Sequence, residues 1–173
     1  MQITRRAGLL GVVNAVWITT ILGGPHQLFG QSSKLAPPND IVGGWHYRSF
    51  LNNPQKLNDI NGLLFGEGDF ILGETATGQL VGTGDFGGGD AVKFQGSVTH
   101  GTLLAVRFQG IGTGSGNSDW VYDYLGVLVP SWPNGVGQVP AIVGSVVRSA
   151  PHSNGSGGVA QAGKVGSFIA VKK

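Results

Sequence analysis

The sequence contains no cysteine among its 173 residues. This absence excludes disulfide bonds, thiol nucleophiles and thiolate metal sites from the chain. A small domain that lacks disulfides depends for its stability on a packed core and on closed backbone hydrogen bonding.

Charged residues are scarce as well, at 12% of the chain, where a quarter is usual. The formal net charge is +2. It comes from Arg5 and Arg6, because the remaining chain holds nine basic residues (11 minus these two) against nine acidic ones. No basic run remains in the rest of the chain, so we expect no nucleic-acid partner.

Strong catalytic and metal-binding motifs are missing too. Ser115 and Ser156 lack the flanking residues of a nucleophile elbow, and the glycine turn at Gly82 lacks a Rossmann or P-loop setting. The four histidines form no H-x-H or H-x-x-x-H pair, so a metal site would need carboxylates that folding brings together. We therefore expect no metal and no bound cofactor.

The N-terminal segment has the layout of an export signal. A twin-arginine start at Arg5-Arg6 precedes an apolar stretch from Ala7 to about Leu22, and a polar region follows. We predict a signal-peptide helix within residues 1–30, a flexible lead-in over 31–40, and an exported protein in the periplasm or outside the cell. The alternative is an uncleaved anchor as the sole membrane contact, although the apolar stretch is shorter than the roughly 20 residues of a spanning helix.

Glycine is abundant, with 32 residues, and glycine clusters separate short apolar or alternating runs, which is typical of strands. Short links between the runs favour an up-and-down meander, and closing it into a barrel removes exposed edges. Residues 41–173 are thus predicted to form an all-β, eight-stranded antiparallel up-and-down β-barrel, with a β-sandwich as the alternative. The predicted strands are Ile41–Phe50, Leu63–Glu74, Gln79–Phe86, Ala91–Thr99, Leu103–Ile111, Asp119–Val129, Ala141–Ser149 and Lys164–Lys172.

Three short motifs carry a resemblance to a known family. They are Gly43-Gly44-Trp45, the run Gly78–Thr83 (GQLVGT), and Val165-Gly166-Ser167-Phe168. With them the chain resembles the calycin group, most closely the avidin/streptavidin-like barrels, and the resemblance implies a calycin-like barrel. The biotin pocket of that family is not matched, and no biotin contact is carried over. Other phrases, among them Tyr47-Arg48-Ser49-Phe50, are similar to an exported bacterial family, and this similarity implies no activity.

Trp45 is expected to have a structural role. A tryptophan at the start of such a barrel plugs one end, and a cation late in the chain often packs on its ring. Arg148 is the first choice for this cation and Lys172 the second.

The segment Asp119–Tyr124 (DWVYDY) is the most informative for a site. On a strand, Trp120, Tyr122 and Tyr124 face one way, and Val121, Asp123 and Leu125 face the other. If the valine face is inside, Asp123 is a buried carboxylate that needs a cation such as Arg48, Arg107 or Arg148. That arrangement is either an interior salt bridge or the polar anchor of a ligand pocket. The candidate ligand-binding residues are Tyr47, Arg48, Arg107, Asp123 and Arg148.

Two further side-chain arrangements are predicted. Glu67 and Asp69 are expected to face solvent, because Leu64 and Phe70 belong to the smoother core face of the same strand. His46 lies near one end of the barrel and is a candidate to meet His152.

Three functions fit these observations. The first is an exported barrel that binds a small, mostly apolar molecule, and the second is a cyclase or isomerase using Asp123 or Glu67 with Tyr47 and an arginine. The third is a structural or interaction module with a filled core, for instance a homodimer. A cavity of about 300 Å³ or more with converging polar groups favours the first two.

Overall fold

A computed structural model describes residues 41–56, 59–132 and 134–173. The predicted signal helix and lead-in lie outside the described residues. In the described part of the chain the helical elements are two 3-10 turns, Pro54–Lys56 and Asn61–Leu63. No helix there is long and apolar enough to cross a bilayer.

Ten strands make up the rest of the regular structure in the described residues. Eight of them close into an antiparallel barrel with the order β1-β10-β7-β6-β5-β4-β3-β2, so the prediction of an all-β, eight-stranded antiparallel barrel is confirmed. The strands are β1 Gly43–Leu51, β2 Leu64–Glu74, β3 Gln79–Asp85, β4 Ala91–Thr99, β5 Ala105–Gly112, β6 Val121–Val129, β7 Ala141–Arg148, β8 His152–Ser153, β9 Val159–Ala160 and β10 Val165–Lys172.

Closure depends on β1, which pairs with β2 on one side and with β10 on the other. No barrel strand is left with an unpaired edge, and this removes the usual template for strand-to-strand aggregation. The meander is interrupted only between β7 and β10, where β8 and β9 form a separate two-stranded hairpin. That hairpin was not predicted, since this segment is a glycine- and serine-rich loop by composition.

Inside the barrel, large side chains alternate with glycines across neighbouring strands. Gly96 lies opposite Phe108, and a Cβ atom at Gly96 would clash with the backbone of Arg107 and Phe108. The glycine therefore permits the close approach of β4 and β5 that a narrow barrel requires.

Aromatic rings fill the middle of the barrel. Phe108 and Tyr124 are stacked with their centroids 4.6 Å apart, and Tyr47 and Phe70 are stacked at the same distance. The wide interior cavity of a carrier for large apolar molecules is therefore absent among the described residues. Buried apolar residues form one continuous core, made up of Ile41, Trp45, Tyr47, Phe70, Leu72, Leu80, Val92, Phe94, Val98, Leu104, Val106, Phe108, Tyr124, Leu128, Ile142, Val146, Phe168 and Ala170.

We call the end of the barrel that holds Trp45 the base. The ring of Trp45 is fully buried, and its Nε1 donates to the carbonyl of Ile41 at 3.1 Å. Lys172 is its cross-strand neighbour, with Nζ 5.5 Å from the ring centroid. The expectation that Arg148 packs on Trp45 is wrong, because Arg148 ends β7 at the opposite end of the barrel, beside Tyr122.

A bulge in the pairing of β1 with β2 corrects the predicted faces at the start of β2. The register shifts between Ser49 and Phe50, and one extra residue reverses the side on which neighbouring side chains lie. Leu64, expected in the core, is therefore exposed, and Phe65 packs against the core instead. Beyond the bulge, Glu67 faces solvent as predicted.

Candidate functional site

The end of the barrel opposite the base, which we call the mouth, contains a pocket of about 160 Å³. The pocket lies above the stacked rings that fill the centre of the barrel, and half of its lining residues are aromatic. We call it the mouth pocket. Its lining residues are Tyr47, Ser49, Phe65, Gly66, Glu67, Phe86, Asp90, Val92, Trp120, Tyr122, Tyr124 and Val146.

The aromatic walls stand nearly perpendicular to one another. Phe65 meets Tyr122 at 63°, Tyr122 meets Trp120 at 75°, and Trp120 meets Phe86 at 72°, with ring centroids 6.0 to 6.5 Å apart. Tyr47 closes the series with its ring at 79° to Phe86. Edge-to-face contacts of this kind satisfy the ring quadrupoles and keep the rings in fixed orientations. The result is a rigid aromatic box.

Phe86 reaches the pocket because of the tight turn that follows β3. Gly87, Gly88 and Gly89 have φ angles of 84°, 62° and 90°, in the left-handed region that other residues adopt only with strain. The turn closes with a hydrogen bond from the Phe86 amide to the carbonyl of Asp90 at 3.2 Å. The glycine triplet therefore places Phe86 and Asp90 side by side at the mouth.

The loop that carries Trp120 is held in place by a buried polar residue that the sequence analysis did not single out. Asn117 is fully buried; its Nδ2 donates to the carbonyl of Ala91 at 2.9 Å, and its Oδ1 accepts from the amide of Gly114 at 2.7 Å. Its own carbonyl accepts from the amide of Trp120 at 2.9 Å. Asn117 thus ties the loop before β6 to the start of β4.

The β8–β9 hairpin forms one side of the mouth. The Nδ1 of His152 lies 2.7 Å from the carbonyl of Ser153, which can only accept, so Nδ1 is the donor. Its Nε2 then accepts from the Tyr122 hydroxyl at 2.8 Å. Arg148 donates from Nε to the same hydroxyl at 3.3 Å and from Nη1 to the carbonyl of Gln161 at 3.0 Å. These bonds fix the orientation of Tyr122.

Burial controls the charge state of the two tyrosines deepest in the pocket. Desolvation raises the pKa of Tyr47 well above its ordinary value, and it does the same for Tyr124. Both hydroxyls therefore stay protonated at neutral pH, and neither supplies a general base.

The predicted site residues do not all come together. Tyr47 lines the mouth pocket and Arg148 contacts its walls, with the guanidinium carbon 5.4 Å from the centroid of Phe65. Arg48 points outward and pairs with Glu67 at 2.7 Å. Arg107 is exposed on the outer face of β5.

The tyrosine face of β6, not the valine face, is inside the barrel. Tyr124 is buried, and Asp123 lies on the outer face, where it accepts hydrogen bonds from Gln109 and Ser149. The condition under which Asp123 would anchor a pocket is therefore not met. Placing the large tyrosine ring inside buries more apolar surface than a valine would, and it leaves the carboxylate near water.

The suggested meeting of two histidines is wrong. His46 lies near the base on the outer surface, where its Nδ1 is 2.7 Å from Oδ1 of Asp69, whereas His152 is at the mouth. Hydrogen bonding from Lys173 is the main cause that lowers the pKa of Asp69, and His46 adds to it. In the described residues no group of three or more His, Asp and Glu side chains could hold a metal ion.

Two buried polar atoms in the described part of the chain have no hydrogen-bond partner, Trp120 Nε1 at the mouth and Glu74 Oε2 near the base. The other oxygen of Glu74 lies 2.6 Å from Nε2 of His100. A depression of about 390 Å³ also lies across β3, β4 and β5, lined by Val81, Lys93 and Ile111 among others. It is more open than the mouth pocket, and it lacks an aromatic box.

Comparison with known proteins adds no further assignment. No family model matches the chain, and neither a curated protein nor a solved structure matches it. The arguments on function therefore rest on the geometry of the barrel and its mouth.

Proposed function

We propose that this barrel binds a small, mostly apolar molecule in the mouth pocket. The observation that carries the proposal is a rigid aromatic box of about 160 Å³ set above a filled core. This volume is below the roughly 300 Å³ expected of a cavity for a drug-sized ligand, so the proposal is restricted to a smaller molecule bound at the mouth. Apolar cavities of about 150 Å³ hold a single benzene-sized molecule. The ligand, or the part of it that enters the barrel, is therefore about the size of one ring, and a Kd of roughly 0.1–1 mM is reasonable for so few atoms.

The few polar groups that line the pocket would orient a bound ligand. The protonated hydroxyls of Tyr47 and Tyr124 lie at its floor, and Glu67 and Asp90 are its charged lining residues. Most contact with the ligand is with ring faces, and the few polar atoms select its orientation. A cyclase or isomerase in this pocket would have to use Asp90, since Asp123 lies on the outer face of the barrel and the side chain of Glu67 points to solvent, where it pairs with Arg48.

A pocket-filling substitution tests the proposal. A Cβ atom at Gly66 would be 3.5 Å from Ser49 Oγ and 3.8 Å from Tyr47 Cε1, which is ordinary contact distance. Gly66→Val should therefore fold and fill the pocket. Gly73→Val is the matched control, because its Cβ would also meet neighbours only at ordinary distances, 3.8 Å or more, and it lies near the base.

Binding is measured by ligand-observed NMR with a set of one-ring aromatic and small alkyl probes. We expect Gly66→Val to abolish binding and Gly73→Val to leave it unchanged. If no probe binds the wild-type protein, or if both variants bind equally well, the proposal is wrong.

One observation favours a second function, self-association into a homodimer. The outward side chains of β6, β7 and β10 include Val127, Val143 and Ile169, which are direct cross-strand neighbours, and Leu125 is 59% exposed beside them. An apolar sheet face of this kind is typical of an interface. Sedimentation of the wild type against Val143→Lys tests it; a monomer in both cases would exclude this function.

Export and membership of the calycin-like barrels, with most similarity to the avidin/streptavidin-like ones, are parts of the same proposal. Export is supported by Arg5-Arg6 and the apolar stretch that follows, and the relationship by Gly43-Gly44-Trp45 at the start of β1. The intact mass of the protein isolated from its own host tests the leader. A mature chain that begins near Gln31 is expected, and an uncleaved chain would contradict the signal peptide.

A further inference from the structure

We propose that the ligand of the mouth pocket is a small organic cation of the methylated ammonium class, held against Trp120 and Phe86 beside Asp90. The inference rests on the proposed function, because it names the chemistry of the molecule in that same pocket. A methylated ammonium group presents mostly methyl hydrogens to its surroundings, so it is compatible with a mostly apolar ligand.

The shape of the box favours a cation. Aromatic faces carry negative partial charge and attract cations, most strongly in the case of tryptophan. Because the ring of Trp120 stands nearly perpendicular to those of Phe86 and Tyr122, the three rings surround a compact group from several directions.

The charge of the pocket favours a cation as well. The charged residues among its lining are Glu67 and Asp90, both acidic. Glu67 is already paired with Arg48 at 2.7 Å. The carboxylate of Asp90 makes no hydrogen bond or ion pair with any other residue that the structure describes, so it is available to a ligand.

The position of Arg148 indicates which wall of the mouth pocket a bound cation contacts. Its guanidinium carbon lies 5.4 Å from the centroid of Phe65 and 5.9 Å from that of Tyr122. It is bound there by the Tyr122 hydroxyl and by the carbonyl of Gln161. The Phe65 side is thus occupied by a resident cation, and the opposite wall, where Phe86 and Asp90 share one turn, is the wall left for a second one.

The direct test compares two probes of the same shape and different charge on the full chain. One is choline, and the other is its carbon isostere, in which a tert-butyl group replaces the trimethylammonium group. Isothermal titration calorimetry should give choline a Kd about tenfold lower than that of the isostere, a plausible preference for a partly desolvated cation on aromatic faces.

Asp90→Asn and Asp69→Asn form a matched pair of variants. Both remove one carboxylate charge, but Asp69 is on the outer surface near the base. We expect Asp90→Asn to weaken choline binding about fivefold, near the upper end of the range for a single exposed ion pair, and to leave the isostere unaffected. Asp69→Asn should change neither.

The outcomes separate this inference from the proposed function. If the isostere binds as tightly as choline, the cation is wrong and the apolar site stands. If choline binds but the two variants weaken it equally, the assignment to Asp90 is overturned. If choline, the isostere and the one-ring probes all fail to bind, both the inference and the proposed function are wrong.

Discussion

Removing the side chain of Asn117 should destabilise the barrel out of proportion to the size of the side chain. Asn117→Ala deletes two partly buried hydrogen bonds, of 2.7 and 2.9 Å. It also leaves the amide of Gly114 without its partner. Each net bond contributes about 1 kcal/mol, and a buried donor left unpaired costs about 1–3 kcal/mol more. We expect the free energy of unfolding to fall by about 3 kcal/mol.

A matched control is available in the turn of the β8–β9 hairpin. Asn154 also makes two side-chain bonds to backbone amides, those of Ser156 and Gly158 at 3.0 and 2.9 Å, but it is exposed. Asn154→Ala should therefore reduce the free energy of unfolding by less than about 1 kcal/mol, because water replaces the lost partner.

Equilibrium urea unfolding, followed by tryptophan fluorescence, gives both free energies. An Asn117→Ala variant within about 1 kcal/mol of the wild type, or one equal to Asn154→Ala, would refute the reasoning that Asn117 holds the mouth together. The same variant should also weaken binding in the mouth pocket, since the loop that carries Trp120 loses one of its attachments to β4.

Three further predictions concern the barrel. Trp45→Ala should lower the free energy of unfolding by about 3–5 kcal/mol, measured by urea unfolding, because it empties a fully buried site at the base; a loss below about 1 kcal/mol would contradict this. Gly96→Ala should lower the thermal midpoint sharply, since the added Cβ clashes with the backbone of β5, and an unchanged midpoint would contradict it. Hydrogen bonds from Lys173 and His46 lower the pKa of Asp69 in the folded protein. The ionised carboxylate therefore stabilises the fold fully above its unfolded-state pKa, and this contribution is lost as the pH falls through the lowered folded-state pKa. The urea midpoint of Asp69→Asn should therefore lie below that of the wild type at neutral pH and converge with it in acid. A difference in midpoint that does not change with pH would contradict this prediction.

The strands and their closure were predictable because the signal is local and repeated. In β4, Val92, Phe94, Gly96 and Val98 occupy alternate positions, and the predicted bounds Ala91–Thr99 are those observed. Glycine turns separate such runs along the whole chain, and a sheet of eight short strands avoids exposed edges by closing.

The orientation of β6 could not be settled from its pattern. Val121 and Leu125 on one face are as apolar as Tyr122 and Tyr124 on the other, so period-2 alternation fixes the two faces but not which one is inside. The packing of the barrel interior determines the orientation, since Tyr124 stacks on Phe108 and Tyr122 lies opposite Gly110. The pattern therefore permits Asp123 inside the barrel, whereas in the structure Tyr124 is inside.

The partners at the two ends of the barrel depend on register, which the sequence does not encode locally. Lys172 meets Trp45 because β10 pairs with β1, and Arg148 meets Tyr122 because β7 pairs with β6. The hairpin that carries His152 was missed because its strands have only two residues each. The aromatic box therefore depends on the geometry of loops and of a bulge, which the alternation of apolar and polar residues along the sequence does not predict.

The most direct test of a small-ligand site above a filled barrel is the NMR response of individual indole groups in the isotope-labelled protein to choline and to one-ring probes. We predict that the Nε1–H signal of Trp120 shifts in a saturable manner with at least one probe. The signal of Trp45, buried at the base, should stay in place, and Gly66→Val should abolish the shift of Trp120. A Trp120 signal that is unmoved by every probe, or one that moves equally in Gly66→Val, would contradict the account.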